Sequence, residues 1–202
     1  MTAADVLVVA GAYLLGSIPF GYLAVRLARG VDIRHLGSGN IGASNVWRQF
    51  GARLGAPVAV LDVAKGFVPA LVGLAVGGEV VGVLAGAAAM LGHARPVWMG
   101  FCRGGKMVAT AGGVSFALMP LVAALCLGVW IGTFLLLRYA SVASLVTSVA
   151  LPVLALVLGE PWPTVAFAAA ACVAVFVLHR SNIRRLLAGT ESRFQWRRAA
   201  RA

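Results

Sequence analysis

Seven apolar runs follow one another along this chain, and nothing else in it limits the possible folds so strongly. They cover residues 6–27, 57–76, 80–91, 108–118, 121–137, 142–158 and 165–178, and they hold only three charged residues, Arg26, Asp62 and Lys65. About 20 helical residues cross a hydrocarbon core of about 30 Å. Runs 80–91 and 108–118 are short and need tilt, flanking residues or burial in protein to fit. In lipid the backbone must satisfy its own hydrogen bonds, so such runs are helices. Hydrophobic residues make up 61% of the 202 positions and charged residues 11%, far less charge than a soluble domain carries. The expectation is an all-α polytopic membrane protein, a single integral-membrane domain over 1–202. The first run lacks a basic n-region and is followed by further runs, so it does not read as a cleaved signal peptide.

Charge placement orients these helices. Of the 17 Lys and Arg residues, 16 fall within 26–53, 95–106, Arg138 and 180–201; the connections at 77–79, 119–120 and 159–163 carry none. Alternate loops are thus basic and non-basic, as the positive-inside rule requires. Seven spans with the N-terminus outside and the C-terminus in the cytoplasm satisfy that alternation; six do not. The net charge of +11 is then a topology signal and an attraction to anionic headgroups, and nucleic acid is not an expected partner. The segment from 179 to the C-terminus reads as a short basic helix on the membrane, anchored by Leu186, Leu187, Phe194 and Trp196. Cys102, Cys126 and Cys172 have no metal-like spacing, and no metal site is expected.

Two stretches imitate nucleotide motifs. "GSGNIG", Gly37 to Gly42, matches the dinucleotide fingerprint, with Asp62 twenty residues on. A Rossmann loop, however, must follow a strand in a βαβ unit, and this one follows "VDIRHL" close to an apolar run. "GFCRGGK", Gly100 to Lys106, resembles the start of a P-loop, but Met107 stands where a magnesium-binding hydroxyl is required. The glycine physics survives the loss of both motifs. Glycines bring backbone N–H groups close to an anion, and a helix N-terminus favours negative charge. The loops around Gly37, Gly39, Asn40 and around Gly104, Gly105, with Arg103 and Lys106, read as phosphate-compatible cradles. Asn45 and Arg48 share a helical face, as do His179 and Asn182 at the end of the last run. Asp62 and Lys65, an i, i+3 pair within a run, face a polar cavity, and either neutralise each other and brace the loops or contact a ligand directly.

"GSGNIGASNVWR", "LDVAKG", "GHARPV…GFCRGGKMVAT" and "HRSNIRRLLAGTE", in this order and spacing, resemble the bacterial acyl-phosphate:glycerol-3-phosphate acyltransferase family over nearly the whole chain. The resemblance implies a seven-helix enzyme of the bacterial plasma membrane whose active site faces the cytoplasm. It would move a fatty acyl group from acyl phosphate to the sn-1 hydroxyl of glycerol 3-phosphate, with lysophosphatidic acid and phosphate as products and no metal or cofactor. It assigns Ser38 and Arg48 to a substrate phosphate, with the Gly37–Asn45 backbone completing the cradle. Lys106, Gly104 and Gly105 take the other phosphate, His179 and Asn182 orient the acceptor hydroxyl, His93 supports the second loop, and Ser141 touches glycerol 3-phosphate. Asp62, Lys65 and Glu191 are structural supports.

Three positions depart from the family pattern. Cys102 is an extra residue, Leu178 stands where an arginine often precedes the histidine, and Met107 replaces a glycine. A side chain at 107 would narrow the cradle or resist a positive φ, which keeps open a diverged paralogue with another acceptor or little activity. An anionic lipid or metabolite transporter is a weaker alternative, since transporter sites lie near the midplane between repeats and this polarity gathers at one face.

Overall fold

The computed structural model describes residues 1–194. Among them all regular structure is helical, as the apolar runs require. The chain forms two compact units, Met1–Leu118 and Met119–Ala202.

The first unit opens with α1, Ala3–Gly16. Thr2 and Asp5 form a reciprocal capping box at its start, satisfying N–H groups that a helix start leaves unpaired. The chain breaks at Ser17–Pro19 and resumes as α2, Phe20–Arg29, which ends at Gly30 in the left-handed region. A 3₁₀ turn, Ile33–His35, leads through the first glycine loop to α3, Ala43–Phe50.

The next helix, α4, is Ala52–Ala94, and its length conceals a hairpin. Gly77 (φ −134°, ψ 18°) and Gly78 (φ 72°, ψ −165°) leave helical geometry, and Gly78 adopts a positive φ that other residues resist. Beyond this turn the chain folds back: a Cβ on Gly82 would lie 3.1 Å from the Ala70 carbonyl oxygen. An unbroken helix would hold residues twelve apart at a separation of about 18 Å. The arms 52–76 and 79–94 correspond to the second and third apolar runs. A 3₁₀ turn at Val97–Met99 begins the second loop, and α5, Val108–Leu118, returns along the first arm. There Gly66 meets the Thr110 carbonyl and Gly113 meets that of Val63, the close backbone approach that small residues allow between membrane helices.

Within this unit polarity is segregated. Gly77 packs beside the Asp5 carboxylate, so the non-basic turn shares an end with the start of α1. At the other end the Tyr13 hydroxyl donates to the Arg95 carbonyl at 2.7 Å, and Asn40 Nδ2 donates to the Gly104 carbonyl at 3.0 Å. The two basic loops therefore meet.

The second unit is a run of helices: α6, Pro120–Leu137, α7, Ala140–Val157, α8, Trp162–Leu178, and the short α9, Arg180–Leu187. Helices α8 and α9 meet at a 58° bend centred on His179. Past α9 the chain returns to the α6–α7 link. The Phe194 N–H donates to the Arg138 carbonyl at 2.7 Å, and its ring stands edge-on to Phe134 with centroids 5.3 Å apart. Leu186 is half-buried, Leu187 is exposed, and Trp196 lies outside the described residues.

By length and apolar content four helical segments can cross a membrane, or five if α8 and α9 form one bent span. That count takes 52–99 as a single segment, although the Gly77–Gly78 turn divides it.

Candidate active site

The first glycine loop is held from inside. Asn45, 2% exposed, donates through Nδ2 to the carbonyls of Leu36 at 3.0 Å and Asn40 at 2.9 Å. Its Oδ1 accepts the Ser38 N–H at 3.1 Å. The Gly42 N–H donates to Asn40 Oδ1 at 2.9 Å and the Gly39 N–H to the Leu36 carbonyl at 3.0 Å. In the second loop Gly104 and Gly105 donate to the carbonyls of Ala94 and His93, each at 2.9 Å. This differs from the expected cradle of exposed amides. The glycine N–H groups at 39, 42, 104 and 105, and that of Ser38, serve the loops themselves. The glycines supply close approach instead: a Cβ on Gly104 would strike the His93 carbonyl, and one on Gly105 the His93 ring. Ser38, Arg48, Arg103 and Lys106 sit on these loops or beside them. Arg48, on α3, donates Nε to the Ser44 carbonyl at 3.2 Å, which restrains its stem on the helix.

Beneath the second loop lies a buried charged group. Lys65 Nζ is 2.9 Å from Asp62 Oδ1, with both side chains 2% exposed. It also donates to the Ile18 carbonyl at 3.0 Å, inside the break between α1 and α2, where a carbonyl loses its helical partner. His93 Nδ1 is 3.6 Å from Asp62 Oδ1 and has no hydrogen-bond partner among the described residues. The pair thus fastens the helix break to the floor of the Gly104–Gly105 loop.

Met107 stands at φ 68° and is 5% exposed. The left-handed conformation that a side chain there would resist is the one it adopts, at a backbone cost of about 1–2 kcal/mol. Its carbonyl accepts the Ala111 N–H at 2.7 Å, so Lys106 directly precedes the first turn of α5.

In the second unit polar groups converge on Glu191. Its Oε1 accepts from Ser141 Oγ at 2.7 Å and Asn182 Nδ2 at 2.6 Å, and its Oε2 accepts from Arg185 Nε at 2.6 Å. Burial alone would raise this carboxyl, but the donors Asn182, Ser141 and Arg185 outweigh it and hold it below its usual range. Glu191 is therefore the hub that orients Asn182 and engages the Ser141 hydroxyl. His179, 4% exposed, lies 2.8 Å through Nδ1 from the Val175 carbonyl. This contact places the proton of the neutral ring on Nδ1 and makes Nε2 the acceptor.

Two contributors stand among the polar residues of the basic loops without a role in the sequence reading. Arg185 is submerged in a basic tail whose residues look alike, although its spacing of six from Glu191 across a helix end was a usable signal. Arg34 pairs with Asp32 at 2.6 Å. Its hydrogen bond pulls the Asp32 carboxyl down to about 2, and the first loop's entry turn is fixed by that pair.

The fold and these loops define an integral membrane protein with cationic, glycine-braced surfaces suited to phosphorylated ligands. Residues 6–189 match the glycerol-3-phosphate acyltransferase family, and the chain belongs to it. A glycerol-3-phosphate acyltransferase from Desulforudis audaxviator (strain MP104C) is 44% identical over 199 residues, covering 98% of this chain and 100% of that protein. One from Roseiflexus sp. (strain RS-1) is 48% identical over 200 residues, 96% and 97% of the two chains. The crystal structure of PlsY (YgiH), an integral membrane glycerol 3-phosphate acyltransferase, in its glycerol 3-phosphate form matches with a TM-score of 0.92 at 44% identity over 96% of each chain. Its lysophosphatidic acid form matches at 0.89 and 43%, again over 96% of each chain.

Proposed function

We propose that this protein transfers a fatty acyl group from acyl phosphate to the sn-1 hydroxyl of glycerol 3-phosphate. The observation that carries this reading is the near full-length likeness, at 44% identity, to a solved acyltransferase in a glycerol 3-phosphate form, together with the loops described above. The acceptor hydroxyl attacks the acyl carbonyl, the new ester C–O bond forms, and the bond from the acyl carbon to the phosphate oxygen breaks. The hydroxyl proton passes to the departing phosphate. Acyl phosphate is a mixed anhydride with a good leaving group, so positioning and charge stabilisation supply most of the barrier lowering, and no enzyme nucleophile is needed. Ser38 and Arg48 hold one phosphate and Lys106 the other. Asn45, Asn40, Gly104, Gly105 and His93 act by shaping the loops that present them. In the second unit His179 and Asn182 orient the acceptor, with Ser141 and Glu191 fixing Asn182.

The same reading makes seven spans, with the N-terminus outside and these loops at the cytoplasmic face of the plasma membrane. The Gly77–Gly78 hairpin and the meeting of the two basic loops at one end of the first unit support it. The diverged-paralogue reading rests on Met107, which adopts the left-handed conformation and is 5% exposed, and the acyl-transfer assay below decides between the two.

Acyl transfer to labelled glycerol 3-phosphate by the purified protein tests the proposal, with palmitoyl phosphate and palmitoyl-CoA compared as donors. Lysophosphatidic acid made from palmitoyl phosphate alone is the expected result. Product from palmitoyl-CoA alone, or from neither donor, refutes the donor assignment.

A further inference from the structure

The corner between α6 and α7 is closed by a segment that follows the last helix. Arg138 ends α6 in the left-handed region, at φ 61°, and Tyr139 leads into α7 with extended backbone. A long side chain resists the conformation that Arg138 holds, and the last carbonyls of α6 have no helical partner. The residues just beyond Glu191 supply what this corner lacks. Arg193 Nε donates to the Leu137 carbonyl at 3.2 Å, and its guanidinium lies 5.8 Å from the centroid of the Tyr139 ring. The Phe194 N–H donates to the Arg138 carbonyl at 2.7 Å.

The Phe194 ring carries this clasp into the helices. It stands edge-on to Phe134, and Phe134 stacks on Trp130 with centroids 5.1 Å apart, an i, i+4 pair on one face of α6. Trp130 Nε1 reaches across to α7 and donates to Ser144 Oγ at 3.3 Å. Ser144 and Ser141 are both buried and share a face of α7. At the other end of the segment Glu191 accepts from Ser141 and Asn182. Residues 191–194 therefore tie two things together: Glu191 holds the polar groups, and Phe194 holds the corner from which Ser141 projects. A corner that opened would carry Ser141 away from Glu191 and loosen Asn182.

We infer that Phe194 and Arg193 are positioning residues for acyl transfer, clasping the α6–α7 corner so that Ser141, Glu191 and Asn182 stay in register for the acceptor. The inference rests on the reading of Ser141 and Asn182 as the acceptor side of the site. Neither Phe194 nor Arg193 is required to touch a substrate.

Two measurements test it. The first is amide hydrogen exchange on the wild-type protein in detergent, which needs no variant and no activity. The Phe194 amide should exchange slowly, as a bonded donor does; exchange at the rate of an unstructured peptide would overturn the inference. The second is steady-state acyl transfer by Phe194→Ala, Phe194→Tyr and Arg193→Met. In Phe194→Ala the KM for glycerol 3-phosphate should rise about tenfold, while that for palmitoyl phosphate stays within about twofold of wild type. Phe194→Tyr keeps the ring and should restore wild-type values, and Arg193→Met should show a smaller rise of the same kind. A merely structural loss would reduce the active fraction, lowering kcat and leaving both KM values alone. That pattern, or an equal rise in both KM values, would overturn the inference, and Arg193→Met carries the test should Phe194→Ala fail to fold. Slow exchange at Phe194 in a protein that transfers nothing to glycerol 3-phosphate would leave the clasp standing and refute the reaction. Normal transfer with an unchanged KM in Phe194→Ala would refute the positioning role alone.

Discussion

Asp62 and Glu191 are both buried carboxylates, at 2% and 8% exposure, and the fold secures them in different ways. Asp62 sits within an apolar helix against a buried cation, with a histidine nearby that has no hydrogen bond through Nδ1 among the described residues. Glu191 lies beyond the last helix and receives three donors from three positions of its unit. The first arrangement depends on a single partner and tolerates no loss. The second distributes its charge over a network that survives piecemeal damage. Each is a brace, Asp62 for the helix break and the second glycine loop, and Glu191 for the bend that carries His179 and Asn182.

The sharpest way to break this contrast is to remove the lysine. Lys65→Met leaves Asp62 buried and uncompensated, a loss of about 3–5 kcal/mol, read as a large drop in unfolding temperature in detergent. Combining it with Asp62→Asn should restore much of that stability, because the unpaired charge is gone. A double variant no more stable than the single one would show that the pair is not the brace described.

Glu191→Gln should be milder, about 1–3 kcal/mol, because an amide oxygen can still accept from Ser141 and Asn182 while the Arg185 pair is lost. The pH dependence sharpens the test. Glu191 has its folded-state value below its ordinary 4.5, so its stabilisation is fully present above that pH and fades as pH falls below it. Thermal unfolding of the wild type between pH 6 and pH 3, roughly, should show this acid limb, and Glu191→Gln should flatten it. An unchanged limb in the variant would assign the acid sensitivity elsewhere.

Asp32→Asn should have the smallest effect, at most about 1 kcal/mol, since the Asp32–Arg34 pair is partly exposed and screened. Its contribution is present above pH 3.8 and lost toward about 2. A larger loss would mean that this turn governs the whole first loop.

Much of the architecture could be read from residues alone, because burial in lipid forces the backbone into helices. The apolar runs matched helical segments, and Gly77-Gly78 marked the hairpin that separates two of them. The polar loops were also visible as clusters, since the membrane offers no other reason for them. What stayed hidden was the direction of each hydrogen bond. A glycine-rich loop with exposed amides and one with its amides turned inward share the same letters, and only the positions of Asn45, Asn40 and the His93 carbonyl decide between them. Met107 was hidden for a similar reason: a propensity disfavours left-handed methionine, and tertiary packing overrode it.

Loops braced from within leave the phosphates of the proposed reaction to side chains. Steady-state acyl transfer from palmitoyl phosphate by Arg48→Ala and Lys106→Met, each checked for an unchanged unfolding temperature, tests it most directly. The account predicts that each loses at least about a hundredfold in kcat/KM, the scale of one lost charge-stabilising donor, while remaining folded. Folded variants that both retain near wild-type turnover would contradict it and return the phosphates to the backbone.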